Sequence, residues 1–311
     1  MITQASGVPN IKTAGSAILT IYSKKWNLRY WQTAVLPDIT TSQYFDNLSK
    51  GDQVEITSDP TVTFQTYNNG QQLDTERLNL TKTSVVIDQA GYFNVALPDV
   101  DAELSHLDLA NKYLEIGQKE GQKFIDKAFF TAMIAQADQT YNSGATAGLI
   151  SQSWNVGSSS APVALNSTNV VKYVTSLQAV LMEQVATSQG DNWCVIPPWM
   201  HWLLMHSELK NAFLTGDAKS TLRTGFIGLL NGMKFFVNIY VYGSGASSTT
   251  PTAILAGNKE AIVYTLRMNK VERVRPPLEF ATNLKGLMVW GWKCVKPNGL
   301  VNGWVYKTAE A

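Results

Sequence analysis

Acidic residues are missing from the first 37 positions, which carry Lys12, Lys24, Lys25 and Arg29 instead. Cysteine is nearly missing throughout: Cys194 and Cys294 are the two in 311 residues, one hundred positions apart. That excludes a disulfide framework, and a reducing cytoplasm is the simplest setting. Histidine is limited to His106, His201 and His206. His201 and His206 stand five apart on an expected helix and so face different ways, unlike the i, i+4 pair of a zinc protease. The chain has no Cys-x-x-Cys, no Gly-x-Ser-x-Gly elbow and no dinucleotide fingerprint. Residues 216–221 have the flavour of a phosphate loop but lack its Gly-Lys pair and its earlier Gly. No apolar run reaches the length of a bilayer span, and the N-terminus lacks the basic start and apolar block of a signal peptide. A net charge of +1 gives no global pull toward nucleic acid or membrane. There is no internal repeat. With no catalytic, cofactor or metal constellation, the expectation is a protein that is not an enzyme and binds no cofactor. Asp99 and Asp101 read as partners of a helix dipole rather than metal ligands.

What is present is long and extended. Residues 100–141 read as an amphipathic helix, with Leu104, Leu107, Leu114, Phe124, Ile125, Ala128 and Ala132 on one stripe and the charges on the others. Pro98 and Asp99 look like its start. At ~1.5 Å per residue it would run to ~60 Å unbroken, too long for one compact ball. Gly117 and Gly121 are places where it bends or lets another backbone approach. Residues 48–87 read as a long β-hairpin. Its arms are 51–64 and 81–87, with the turn signal Asn69-Gly70 in a polar tip. An isolated two-stranded hairpin is marginal in water, so its stability is expected to come from another subunit.

Residues 90–93 turn the chain toward the long helix, and 142–166 read as loops around one short strand at 148–154. A helix follows from Asn166-Ser167, with Val170, Val174, Leu177, Leu181 and Val185 on one face, ended by Gly190. Strands are expected at 193–196, 235–242, 251–256 and 261–266, with Pro197-Pro198 opening a helix over 199–209. This order indicates a mixed α/β unit. A basic strand at 269–275 and a long strand at 284–295 close the reading. Residues 267–296 hold seven basic and two acidic side chains, whereas 99–127 hold seven acidic and four basic. These excesses are expected to pair, within a subunit or across an interface. The basic, aromatic arm (Lys24, Lys25, Trp26, Arg29, Tyr30, Trp31) fits a neighbouring surface or nucleic acid.

Basic arm, long hairpin, long helix, central α/β unit and closing β segment, in that order, resemble the plan of the major capsid proteins of tailed double-stranded DNA phages. Local text agrees. Gly51-Asp52-Gln53-Val54-Glu55-Ile56 is similar to the start of that family's hairpin. Residues 92–101 (YFNVALPDVD) resemble the passage from hairpin to spine helix, and Val195-Ile196-Pro197-Pro198-Trp199 the strand-to-helix step of the axial domain. Residues 228–237 (GLLNGMKFFV) approximate a Gly, then Gly-Phe-x-Val pattern, with Met and Lys after Gly232. The resemblance implies an α+β chain in five parts. These are an N-terminal arm (1–47), a β-hairpin extension loop (48–87), a peripheral domain with the spine helix (88–165), a central α/β axial domain (166–266) and a return to the peripheral domain (267–311). It implies hexamers and pentamers in an icosahedral shell, within a virion assembled in a bacterial cytoplasm. Scaffolding and portal proteins are expected partners, the scaffold as a separate protein or a removed leader. A decoration protein and packaged double-stranded DNA held by non-specific contact are also implied, and a membrane is not. Assembly contacts are expected from Lys24, Lys25, Arg29, Tyr67, Arg77, Arg273 and Arg275. A bacterial nanocompartment shell of the same fold is the nearest alternative; a soluble enzyme and a carbohydrate-binding surface protein are more distant ones.

Overall fold

In a computed structural model, described for residues 34–45, 53–99, 108–186, 191–207 and 229–308, two apolar strands organise the interior. These are β5 (Asn192–Ile196) and β8 (Thr252–Asn258), and every residue of both is buried. Continuous apolar runs of this kind suit strands covered on both faces. They lie in a six-stranded sheet of order β4-β11-β8-β5-β7-β6. Its other members are β4 (Val163–Leu165), β6 (Leu229–Leu230), β7 (Met233–Val237) and β11 (Leu300–Lys307). Alternation along the central strands divides the core. Cys194, Ile196, Ile254 and Ala256 face two helices, α3 (Val170–Glu183) and α4 (Pro198–His206). Trp193, Val195 and Leu255 face the other way, onto a second layer.

That second layer is a three-stranded antiparallel sheet, β3 (Gln89–Pro98), β10 (Ala281–Cys294) and β9 (Ile262–Val274), in the order β3-β10-β9. Across one face lies α2 (Leu109–Met133), where Asp108 accepts from the Asn111 amide as its N-cap. Ile125, Phe129, Phe130 and Met133 of α2 are buried with Met288 and Trp290 of β10. Phe129 meets the Trp292 edge at 5.8 Å between ring centroids. The described helix has 25 residues, or ~37 Å at the usual rise, and Asp99, expected at the helix start, is itself helical. Residues 100–107 lie outside the described set, and 134–141 are turns. Gly117 and Gly121 admit side chains, not a backbone. A Cβ at Gly117 would sit 2.6 Å from the Phe93 ring, and one at Gly121 2.7 Å from the Met288 sulfur.

The helical stripe read from sequence needs two corrections. Phe124 is 62% exposed, and Asp126, grouped with the solvated charges, is buried at 4%. The chain segment 34–45 explains the second. Its short helix α1 (Leu36–Ile39) buries Leu36 and Ile39 against α2. Thr41 then pairs with the start of β9: its amide donates to Ile262 O at 3.0 Å, and its carbonyl accepts from Tyr264 at 3.1 Å. This part of the expected arm is thus built into its own subunit. Residues 1–33, with Lys24, Lys25 and Arg29, lie outside the described residues.

The remaining differences concern strands. Residues 89–98 form β3 rather than a turn into the helix. The stretch 148–154 is held by isolated bridges, Gly144 to Gly157 and Ala147 to Trp154, not by a strand. Val185, placed on the buried face of α3, is 67% exposed with φ +59°, just past the helix end at Glu183. The apolar run 235–242 supplies only the end of β7, which stops at Val237. The boundary expected after Leu266 falls inside β9, which runs unbroken across it. Residues 300–307, assigned to the closing part with no strand expected there, form β11 in the six-stranded sheet.

Candidate assembly interface

The expected long hairpin is a ladder only at its base. β1 (Gln53–Ser58) pairs antiparallel with β2 (Thr81–Val86), from Gln53 opposite Val86 to Ser58 opposite Thr81. Ile56 and Val85 are buried with Phe45 and Val263, which fixes the base to β9. Beyond it, residues 59–80 hold no strand, so the alternating Thr61 to Phe64 text finds no ladder partner. The tip is nonetheless ordered locally. Gly70 has φ +83°, and the Gln71 amide donates to Asn68 O at 3.0 Å. The two arms are joined by Glu76, which accepts from the Thr63 amide and hydroxyl at 3.1 and 3.3 Å.

Residues 61–80 are exposed without exception. Phe64 is at 101%, Leu73 at 74%, Val62 at 63% and Tyr67 at 60%. A monomer gains nothing by projecting such side chains into water, where each forgoes ~1.5–3 kcal/mol of burial. A second projection is the turn between β9 and β10, where Leu278 and Phe280 are at 94% and 86%. Neither Leu278 nor Phe280 stands out in the sequence, because Pro276-Pro277 marks the break but gives no sign of a projecting apolar turn beyond it.

Of the expected contact residues, Tyr67 and Arg77 lie on the exposed loop. Arg273 and Arg275 lie elsewhere and are held by their own subunit. Arg273 donates to the Asn111 side chain at 2.9 Å, and Arg275 pairs with Asp99. The opposite charge excesses therefore meet within the subunit at this point. Such an exposed pair contributes at most ~1 kcal/mol and fixes orientation more than stability.

No chemistry gathers elsewhere in the described residues. They contain no group of three or more His, Cys, Asp or Glu able to hold a metal ion, and no helix long and apolar enough to cross a membrane. His206 bonds the Trp202 carbonyl through Nδ1 at 2.9 Å and stacks on its ring. Cys194 and Cys294 are buried free thiols, and burial pushes both up to about 12. Glu183 is an anchor. Burial opposes its charge, but bonds from Ser151, Trp154 and Ile150 prevail and hold it down to about 2. It thereby pins the 148–154 loop to α3.

No protein-family model and no curated protein matches the chain. Solved structures do. One from Mycobacterium phage Che8 superposes with a TM-score of 0.71 at 19% identity, over 93% of this chain and 98% of that one. The fold is that of phage capsid structures. The capsid of cyanophage P-SCSP1u gives 0.66 at 17% identity, with 94% of each chain covered. The mature capsid of bacteriophage PhiM1 gives 0.68 at 14%, over 94% and 93%.

Proposed function

We propose that the chain is the major capsid protein of a tailed double-stranded DNA phage. It is a structural subunit that builds the hexamers and pentamers of an icosahedral head and resides in the virion. The observation that carries this reading is the match over nearly the full length of both chains to capsid subunits. The exposed loop adds to it. A patch of Phe64, Tyr67 and Leu73 standing free in solvent is the mark of a protein-protein surface. A loop on one side of a subunit that docks on a different side of the next makes a heterologous contact, and such contacts close into rings when the rotation between copies closes.

On this reading Tyr67 and Arg77 act from the loop. Lys24, Lys25 and Arg29 act from the arm, toward other subunits or the packaged DNA by non-specific contact. Scaffolding, portal and decoration proteins complete the set of partners, and the role is architectural rather than catalytic. The test is electron microscopy with light scattering on the purified chain, expressed alone and with neighbouring genes. Closed shells or capsomer-sized rings are expected. Removal of residues 67–77 is expected to leave a subunit with unchanged circular dichroism and melting that forms neither. A wild-type monomer under every condition, scaffold included, would overturn the proposal.

A further inference from the structure

The sequence contains four Asn-Gly pairs, at 69–70, 231–232, 298–299 and 302–303. Such a pair can modify itself, because glycine leaves its own amide nitrogen unshielded beside the asparagine side chain. That nitrogen attacks the side-chain carbonyl carbon, the bond from this carbon to Nδ2 breaks, and ammonia leaves with the proton that the amide gives up. Water then opens the cyclic imide at either carbonyl, to aspartate or to isoaspartate. One water is consumed, one ammonia is released, and no oxidant or reductant takes part. In a folded chain the reaction needs a glycine amide with no acceptor, an asparagine side chain with no partner, and a backbone free to fold one onto the other.

The fold separates the four pairs on these conditions. The Gly299 amide donates to Lys296 O at 3.0 Å, and Gly299 is buried. Asn302 is 2% exposed within β11, and its side chain donates to Ile134 O at 3.2 Å. Asn231 and Gly232 are exposed, but they form the two-residue turn of a hairpin closed by Leu230 opposite Met233. Their φ values of +51° and +81° put both in the left-handed region, the arrangement that hairpin twist favours and holds. At Asn69 no ladder closes the turn. Asn69 and Gly70 are the central residues of turn 68–71, well beyond the last strand pair at Ser58 and Thr81. The turn is held by two bonds between Asn68 and Gln71, at 3.0 and 3.2 Å. Among the described residues neither the Asn69 side chain nor the Gly70 amide has a hydrogen-bond partner. A Cβ on Gly70 would meet nothing within 4 Å.

We propose that Asn69 is a self-modification site, where the Gly70 amide closes on the Asn69 side chain to a cyclic imide that opens to aspartate or isoaspartate. Residues 59–80 carry three acids (Asp59, Asp74 and Glu76) against Arg77, so their net charge goes from −2 to −3. The isoaspartate form also routes the main chain through the side-chain carbons, which lengthens the turn that the Asn68 and Gln71 bonds close. Each converted subunit therefore carries an altered projection. The chemistry itself does not depend on the assembly reading.

The experiment incubates the purified full-length chain, kept unassembled, in H₂¹⁸O at mildly alkaline pH. Peptide mapping by electron-transfer mass spectrometry separates aspartate from isoaspartate. Label is expected first at position 69, roughly tenfold faster than at Asn231, a ratio that corresponds to ~1.4 kcal/mol, about one backbone hydrogen bond. Positions 298 and 302 should stay unlabelled. The same chain in urea should label all four positions at similar rates, because the fold makes the distinction. Asn69→Gln should abolish the fast release of ammonia and leave melting unchanged, since the side chain is exposed. Label at 231, 298 or 302 as fast as at 69 in the folded chain, no label at 69, or the same ranking in urea would each overturn the proposal. All of these are read on the free subunit, so they stand apart from whether shells form.

Discussion

Asp126 provides a test of how α2 is held. It sits inside α2, 4% exposed, beneath the segment 34–45. Burial raises its carboxyl from 3.8 to about 6, although a bond from the Val35 backbone pulls the other way. The raised Tyr264 hydroxyl, pushed up to about 12 by burial and then by the Asp126 charge, marks the same neighbourhood. In the unfolded chain Asp126 releases its proton near 3.8; in the folded chain it keeps it to about 6. The folded state therefore binds more protons between these values, and stability falls as pH rises through that window. Below it the effect vanishes, and above it the cost is constant. Two units at ~1.4 kcal/mol each give ~3 kcal/mol. Asp126→Asn removes the charge and keeps an oxygen for the Val35 amide. The variant should match wild type at pH 3.5 and exceed it by up to ~3 kcal/mol at pH 7.5. The assay is urea unfolding of the unassembled subunit across that range. An equal effect at every pH, or destabilisation at pH 7.5, would refute the argument and show that Asp126 is stabilised as an anion by its surroundings.

Three further outcomes are expected. Glu183→Ala frees the amides of Ile150 and Ser151, so their hydrogen exchange should speed up, with ~1–3 kcal/mol lost. Because Glu183 is depressed to about 2, the wild-type contribution should be present above pH ~4.5 and fade only as pH falls toward 2, the reverse of Asp126. Gly117→Ala and Gly286→Ala both push on the Phe93 ring, from α2 and from β10; each should cost ~1–3 kcal/mol by overpacking. The double variant should cost at least their sum, since the two methyls press opposite edges of the ring and a shift away from one runs into the other. Replacing Lys24, Lys25 and Arg29 by Gln should lower particle melting temperature or genome retention, read by particle calorimetry and nuclease protection.

The parts of the fold legible in the sequence are those whose pattern is set by the subunit's own core. The run Trp193 to Ile196, the stripe Val170, Val174, Leu177 and Leu181, and the long strand around Trp290 are all buried within one chain. The strands misread or passed over share a different cause. β3 carries Gly91, and β11 carries Gly303, where glycine ordinarily weakens a strand. Here each glycine makes room for a neighbour: a Cβ at Gly91 would lie 3.0 Å from Trp290, and one at Gly303 would collide with the Tyr173 hydroxyl. Such glycines cannot be told from turn residues until the packing partner is known. Asp126 is misplaced by pattern alone because charge predicts exposure, whereas the folded chain buries it beside Val35 and Tyr264.

The loop 59–80 fails for a deeper reason. Val62, Thr63 and Phe64 have strand-forming side chains, yet they lie beyond the last pair, Ser58 opposite Thr81. A sequence pattern is interpreted against the chain's own core, and this loop has none. Its apolar residues are informative only if the buried surface belongs to another copy.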